Sequence, residues 1–597
     1  MSTSPRAVGR QPRALLFAAF IVAILLYPIV MRSDYALGAA ITVGAMAIAS
    51  VGFVLLIGYA HQLAIGQAAF CTIGGYGSAL LVTRHGWDPF PAMLVAMVGA
   101  MALAYVVGRP ILKLRGFVLA MASLALQLIL GFLAVQWTDL TGGAIGIDGV
   151  PRFAIFGWAV GGDRDLFYVV WGAVALAVLV GLNIDRSRIG RELKAIASSE
   201  RAAGSVGIDL AAAKVRMFVL SAGMASVAGS LTVHYLRLMD PGVFGFQYSL
   251  DIITAVVIGG LTSIWGGVLG AAIIVALREG LRFAAQPLFE GIVMGALTVL
   301  VLLLFPRGVA GGIADLYRRI GSRSEMSGGG GAVADFSDTA SVVADDGTIL
   351  TLDGVSRRFG SLVAVDQVGF TVQRHSITAL IGPNGAGKTT LFNMISGDQP
   401  LDGGRIVLAG ERIDLLPPHR VARRGVARTF QNLELFDNLT VLDNVMCGRA
   451  RHAATGLIEI VARLPRVARE ERVQRAAATR CLAFVGLADA AHRMPSALPF
   501  GHQRLLEIAR ALALEPALLL LDEPASGLND SETEALADLI LRIRARGVTV
   551  LLVEHDIRLV MGLADHIVVM NYGKKIAEGA PALVRADPHV LAAYLGS

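Results

Sequence analysis

The residues best equipped for chemistry lie in the second half of the chain. SITALIGPNGAGKTTLFNMISG, residues 376–397, runs an apolar segment into Gly382, Pro383, Asn384, Gly385, Ala386, Gly387, Lys388, Thr389 and Thr390, and then into a helical pattern. Glycines at this spacing let backbone N–H groups curl around an anion at a helix N-terminus. Lys388 would then reach the β and γ phosphates of a nucleotide and the Thr389 hydroxyl would hold Mg²⁺. A Gly-rich turn in isolation would mean little, but strand, loop and helix in this order are the context that a phosphate-binding loop requires.

A second segment, ALLLLDEP at 517–524, reads as a buried strand ending in two adjacent carboxylates. Two such groups after four leucines are costly unless a cation or substrate needs them. Asp522 is placed to bind Mg²⁺ through water, and Glu523 to polarise the attacking water. LLVEHD, 551–556, repeats the strand-then-polar pattern and offers His555 as a γ-phosphate contact, although a lone histidine at a strand end is more often structural.

These segments belong to a soluble α/β pattern of short β-rich runs, turns and helices that occupies 348–597. What precedes it is different. With 597 residues, 55% hydrophobic and only 16% charged, and a mean hydropathy of +0.63, part of the chain must live in lipid. The formal charge of +6 is explained by short Arg-rich loops between apolar segments, so no nucleic-acid partner is expected.

A bilayer core of about 30 Å needs about 20 apolar residues per helix. That template predicts spans at 14–31, 36–58, 63–83, 91–108, 117–135, 167–183, 216–235 and 288–305, with a long run at 250–278. Arg6, Arg10 and Arg13, then Arg109, Lys113 and Arg115, then the basic residues from Arg186 to Arg216 fall on one side, which places the N-terminus in the cytoplasm. The run at 250–278 carries GGLTSIWGG in its middle and must cross an even number of times, as a broken or re-entrant pair would; Arg278 and Arg282 then fall on the outer side.

The expected organisation is a basic cytoplasmic N-terminus (1–13), a polytopic α-helical membrane domain (14–306), a flexible Gly/Ser-rich tether (307–347) and an α/β P-loop domain (348–597). The basic start before an apolar run looks like a signal peptide, but it lacks a small-residue cleavage site, so a retained first helix is expected. Cys71, Cys447 and Cys481 lie far apart, without pairing or metal-ligand spacing, and read as buried small hydrophobes.

Taken in order, the phosphate loop, the DEP strand and the histidine strand resemble the ATP-binding cassette family over essentially all of 348–597. The resemblance implies that Phe359 in SRRFGSLVAV stacks on adenine, that Gln431 in RTFQN touches Mg²⁺ and reports to the membrane domain, and that Ser526 to Asn529 form a loop crossing to a partner. A core aromatic and a loop amide are the plain alternatives for the first two. In the stretch 184–215, Glu200, Ala202, Ala203 and Gly207 echo the Glu-Ala-Ala and Gly pattern of importer coupling segments; a solvated amphipathic loop is the alternative.

HQLAIGQAAFCTIGGYGSALL (61–81), WTDLTGGAIGIDGVP (137–151) and VVIGGLTSIWGGVLGAA (256–272) look like the permease of the branched-chain amino-acid (Leu/Ile/Val) importer family, and the cassette looks like one of its ATPases. The chain thus resembles a fusion of two parts that the family commonly makes separately. Gln67, Thr141 and Asp148 either line a passage or pack internally.

The resemblance implies ATP and Mg²⁺ as cofactors, a second permease, a second ATPase and an extracytoplasmic solute-binding protein as partners, and a bacterial plasma membrane with the ATPase in the cytoplasm. The solute implied is a branched-chain amino acid, with urea, amides or small organic acids as alternatives and an exporter half-transporter as a reading of another class. One departure stands out. Where the family's signature reads Leu-Ser-Gly-Gly-Gln, residues 498–503 read LPFGHQ, so Pro499, Phe500, Gly501 and His502 are the candidate signature serving a partner's nucleotide. Proline suits the start of a helix and Gly501 still allows close backbone approach to a phosphate.

Overall fold

The computed structural model describes residues 11–114, 116–284, 287–304, 308–312 and 347–595. Arg6, Arg10, Arg115 and nearly all of the expected tether lie outside them. The chain divides into two compact units, one of residues 1–185 with 211–327, the other of residues 186–210 with 328–597.

The first unit is helical. Among the described residues, six helices are long and apolar enough to cross a membrane: Asp34–Tyr59, Pro89–Ile111, Gly116–Gln136, Asp163–Asp185, Leu210–Leu236 and Ile264–Leu281. Shorter apolar helices occupy Leu15–Val30 and Phe246–Gly259. The span expected at 63–83 starts late, as the helix Ala68–His85, because Gly66 is pressed against the Ser123 carbonyl and the chain around it is not helical.

The long run breaks where its glycines stand. One helix ends at Gly259, Gly260 takes φ +118°, and the next begins at Ile264. The halves then pack backbone to backbone: a Cβ on Gly259 would lie 1.8 Å from the Gly266 carbonyl oxygen, and one on Gly270 would lie 1.8 Å from that of Ala255. Arg278, expected on the outer side, donates to Asp251 at 2.7 Å and so ties the second half to the first.

Gln67 and Thr141 are buried and hydrogen-bonded within the helical unit. The Gln67 amide donates to the carbonyl and hydroxyl of Ser221, and the Thr141 hydroxyl to the Ala134 and Trp137 carbonyls. Asp148 is exposed and accepts from the Gly149 N–H.

The second unit is built on two sheets. The larger has the order Val426–Arg428, Leu518–Asp522, Thr549–Val553, Ile377–Ile381, His566–Asn571, Lys574–Gly579, parallel except for the last pair. Its inner strands are apolar on both faces because both are covered: Leu518, Leu519, Leu520 and Leu521 are fully buried. A smaller antiparallel sheet, Leu362–Gln373, Thr348–Phe359, Gly403–Leu408 and Glu411–Arg412, packs across the core from it. Register pairs Asp522 with Val553 and Val553 with Leu380, so the polar ends of three strands finish level with the phosphate loop.

Residues 186–210, expected as an inner loop of the membrane domain, pack within this second unit as the helices Arg188–Ser198 and Glu200–Ser205. The first is strongly amphipathic, and its Arg191 forms a two-pronged ion pair with Glu471 at 2.6 and 2.8 Å.

Candidate active site

The chain from Gly382 to Gly387 turns tightly before the helix Lys388–Ile395. Gly382 (φ +152°) and Gly387 (φ +95°) are required there: added Cβ atoms would sit 2.1 Å from the Met570 carbonyl and 2.3 Å from that of Ala364. The helix has no side-chain N-cap, which leaves its first N–H groups for an anion. Pro383 is half-buried and Ala386 buried, while Asn384, Gly385 and Thr389 are exposed at the mouth and Thr390 is half-buried.

Lys388 folds over the loop, its Nζ donating to the carbonyls of Gly382 at 2.7 Å and Pro383 at 3.1 Å. Burial lowers its pKa, while Glu523 and Asp522 oppose that shift.

Asp522 is fully buried at the end of its strand. One carboxylate oxygen accepts from Arg428 at 3.1 Å; the other, Oδ1, is buried with no hydrogen-bond partner. Burial raises the Asp522 pKa and Arg428 counters it. An orphaned carboxylate oxygen close enough to the phosphate loop to act on the Lys388 charge suits a bound cation.

Glu523 follows in a left-handed backbone conformation, φ +48°, rare for a residue with a Cβ and characteristic of functional turns. Its N–H is tied to the Val553 carbonyl at 2.9 Å and its side chain accepts from Gln431 Nε2 at 3.0 Å. His555 Nδ1 lies 4.0 Å from the same carboxylate and 3.7 Å from Glu554. Three residues from three loops, Glu523, Gln431 and His555, thus converge beside the phosphate loop.

Phe359 ends its strand 42% exposed with the Arg357 guanidinium 5.0 Å above its ring, so it is not a core aromatic. Pro499 stands at the N-cap of the helix Phe500–Leu512, and its φ of −56° fits that place. The Phe500 ring lies against Gly527, where an added Cβ would approach to 2.9 Å. His502 is exposed. A Cβ on Gly501 would stand 2.6 Å from the Glu532 carboxylate, which also accepts from the Asn529 N–H.

The segment 186–210 meets the cassette through its expected residues and through others. Ala202 and Ala203 are fully buried, Glu200 begins their helix, and the Gly207 carbonyl accepts from Arg423 at 3.2 Å. Sequence reasoning missed the buried charges that support these loops. Glu554 holds the turn after Glu523 by accepting from the Ala525 N–H at 2.8 Å. Arg504, Glu507 and Arg510 line the buried side of the Phe500–Leu512 helix: Glu507 accepts from the Phe430 N–H at 3.1 Å, and Arg504 donates to the Phe430 and Gln431 carbonyls at 2.7 and 3.0 Å. The signal was the Arg-x-x-Glu-x-x-Arg spacing, which puts three charges on one face of a helix beside a buried strand.

Comparison with known proteins agrees with this geometry. Family models match residues 35–302 (branched-chain amino acid transport system / permease component), 365–526 (ABC transporter) and 574–597 (branched-chain amino acid ATP-binding cassette transporter). The high-affinity branched-chain amino acid transport ATP-binding protein BraF of Pseudomonas aeruginosa is 45% identical over 249 residues, which are 42% of this chain and 98% of that protein. The chain belongs to the branched-chain amino-acid ABC transporter family. The corresponding LivG of Escherichia coli, 43% identical over 251 residues, is covered to 98% by 42% of this chain. A more distant match is the lipopolysaccharide export system ATP-binding protein LptB of Haemophilus influenzae, 35% identical over 249 residues, with 98% of it and 42% of this chain covered. This ABC transporter chain therefore joins a permease to a nucleotide-binding, ATP-hydrolysing cassette.

Proposed function

We propose that this chain is the permease and one ATPase of an importer for branched-chain amino acids, working in a bacterial plasma membrane with its cassette in the cytoplasm. The carrying observation is the permease match over 35–302 in the same chain as a complete phosphate-loop site. A cassette alone does not fix direction, since LptB is named for export and matches at 35%. The permease half is what favours uptake.

In this reading the loop from Gly382 to Gly387 and Lys388 hold the phosphates, Thr390 adds a hydroxyl, and Phe359 stacks on the adenine. Thr389, Gln431 and Asp522 would hold Mg²⁺, whose charge would offset that of the phosphates. Glu523 accepts a proton from the attacking water as its oxygen bonds to the γ phosphorus and the bond to ADP breaks; His555 and Gln431 keep that carboxylate aimed. Pro499, Phe500, Gly501 and His502 face the nucleotide of a second ATPase. Glu200, Ala202, Ala203 and Gly207 seat the coupling segment, and a second permease and a solute-binding protein complete the assembly.

Reconstitution with those partners in proteoliposomes tests it. Uptake of labelled leucine, dependent on the binding protein and on ATP at the cassette face, is expected. Uptake of urea or a small amide in place of leucine would overturn the solute, and ATP-driven movement from the cassette side to the cassette-free side would overturn the direction.

A further inference from the structure

Four charged side chains of alternating sign run from the segment 186–210 to the phosphate site, all within the second unit. Arg201 Nε reaches Asp398 Oδ2 at 3.3 Å, and its guanidinium also donates to the Asn393 side chain at 2.7 Å. Arg428 donates to the same Asp398 oxygen at 3.2 Å and, with its other terminal nitrogen, to Asp522 Oδ2 at 3.1 Å. The Phe430 ring lies between the two arginines, 4.9 Å from one guanidinium and 5.1 Å from the other. Phe430 directly precedes Gln431, and Asn393 and Asp398 lie at and just beyond the end of the helix that begins at Lys388.

Burial couples the inner three members of this row, while Arg201 at its outer end is 45% exposed. Arg428 is 2% exposed, Asp522 1% and Asp398 13%, so water screens little between them. Arg428 carries one charge for two carboxylates, and Asp398 presents one oxygen to two arginines. Strengthening either pair weakens its neighbour.

We propose that Arg428 is a positioning residue at the centre of a charge relay, through which the seating of Arg201 and the availability of the Asp522 carboxylate oppose one another. When Arg201 occupies Asp398, Arg428 leans on Asp522 and competes with a cation there. When a cation draws Asp522 away, Arg428 falls back on Asp398 and loosens Arg201. Linkage requires the two effects to be equal in size. The segment would thus feel the filling of the nucleotide site through side chains, apart from any movement of the Gln431 loop.

The inference rests on Asp522 as the cation-holding carboxylate, and the test separates the two. In a Glu523→Gln background, which removes turnover, the affinity of the full chain in detergent for labelled ATP is measured in EDTA and in Mg²⁺. The ratio of the two Kd values isolates the cation's contribution. Asp522→Asn should collapse that ratio; if it does not, the reading of Asp522 fails before the relay is tested. Given that, Arg201→Ala should raise the ratio about two- to tenfold and Asp398→Asn should lower it by a similar factor.

Combining the two is decisive: Arg201→Ala should have no further effect once Asp398 is Asn. An equal effect of Arg201→Ala in both backgrounds would mean a direct field rather than a relay, and an unchanged ratio in Arg201→Ala alone would exclude any linkage. Either overturns the proposal. Should Asp398→Asn fail to fold, Arg428→Lys, which keeps the charge but reaches only one carboxylate, serves as the second background, with the same expectation that Arg201→Ala falls silent.

Discussion

Replacing Glu507 by Gln removes one negative charge from between two buried arginines. Glu507 is wholly buried, Arg504 and Arg510 are each 1% exposed, and the carboxylate lies 2.9 Å from the first and 3.7 Å from the second. Arg510 Nη2 already lacks a hydrogen-bond partner, so the triad holds no spare compensation. Breaking a buried pair by neutralising one member costs about 3–5 kcal/mol. At about 2–4 °C per kcal/mol for a domain of this size, the cassette should melt about 6–20 °C lower.

The defect should also be local. Arg504 and Glu507 hold the Phe430 and Gln431 backbone, so Gln431 should lose its 3.0 Å contact with Glu523 and hydrolysis should slow. All five tryptophans lie before residue 306, so intrinsic fluorescence reports on the helical unit, and the cassette is better followed by hydrogen exchange of peptides spanning 426–436 and 498–512. Unchanged protection in both peptides, with an unchanged melting point, would refute the argument that the triad holds the glutamine loop.

Three further outcomes follow from named contacts. Burial keeps the His419 imidazole below its ordinary 6.5, against the pull of Asp209 at 3.5 Å. The unfolded chain then binds more protons in the window from 6.5 down to the depressed value, so stability falls as the pH drops through it, and His419→Gln should flatten that fall in melting measured between about pH 7 and pH 5. Gly259→Ala puts a methyl group 1.8 Å from a backbone oxygen that cannot move away alone; it should cost about 1–3 kcal/mol and lower the melting point of the helical unit by fluorescence. Pro499→Ser with Phe500→Gly lifts the ring from Gly527 and should change ATP turnover at the partner's site, as measured by single-site nucleotide trapping; equal rates before and after would count against these residues serving a partner's nucleotide.

What the sequence made legible is what local spacing encodes. Lys388, Thr389, Asp522 and Glu523 stand out because the phosphate loop and the strand before the carboxylates are contiguous, and the break inside 250–278 because glycines interrupt an apolar run. The start of the helix at Ala68 was hidden, since it depends on Gly66 meeting Ser123, 57 residues away. Arg428 and Asp398 look like ordinary surface charges in sequence. Their partners are up to 197 residues distant, and only the fold shows that Arg428 is buried and Asp398 nearly so. For the same reason 186–210 reads as a polar loop between membrane spans until its buried alanines and Arg191 are seen against the cassette.

If hydrolysis at this cassette drives solute through the attached helices, blocking the first should stop the second. The most direct measurement is Glu523→Gln in the full reconstituted assembly, with ATP affinity, phosphate release and leucine uptake read on the same proteoliposomes. ATP should bind as tightly as before, while phosphate release at this site falls about 10²–10⁴-fold and uptake falls with it. Undiminished phosphate release at this site, or uptake that persists after it stops, would contradict the account.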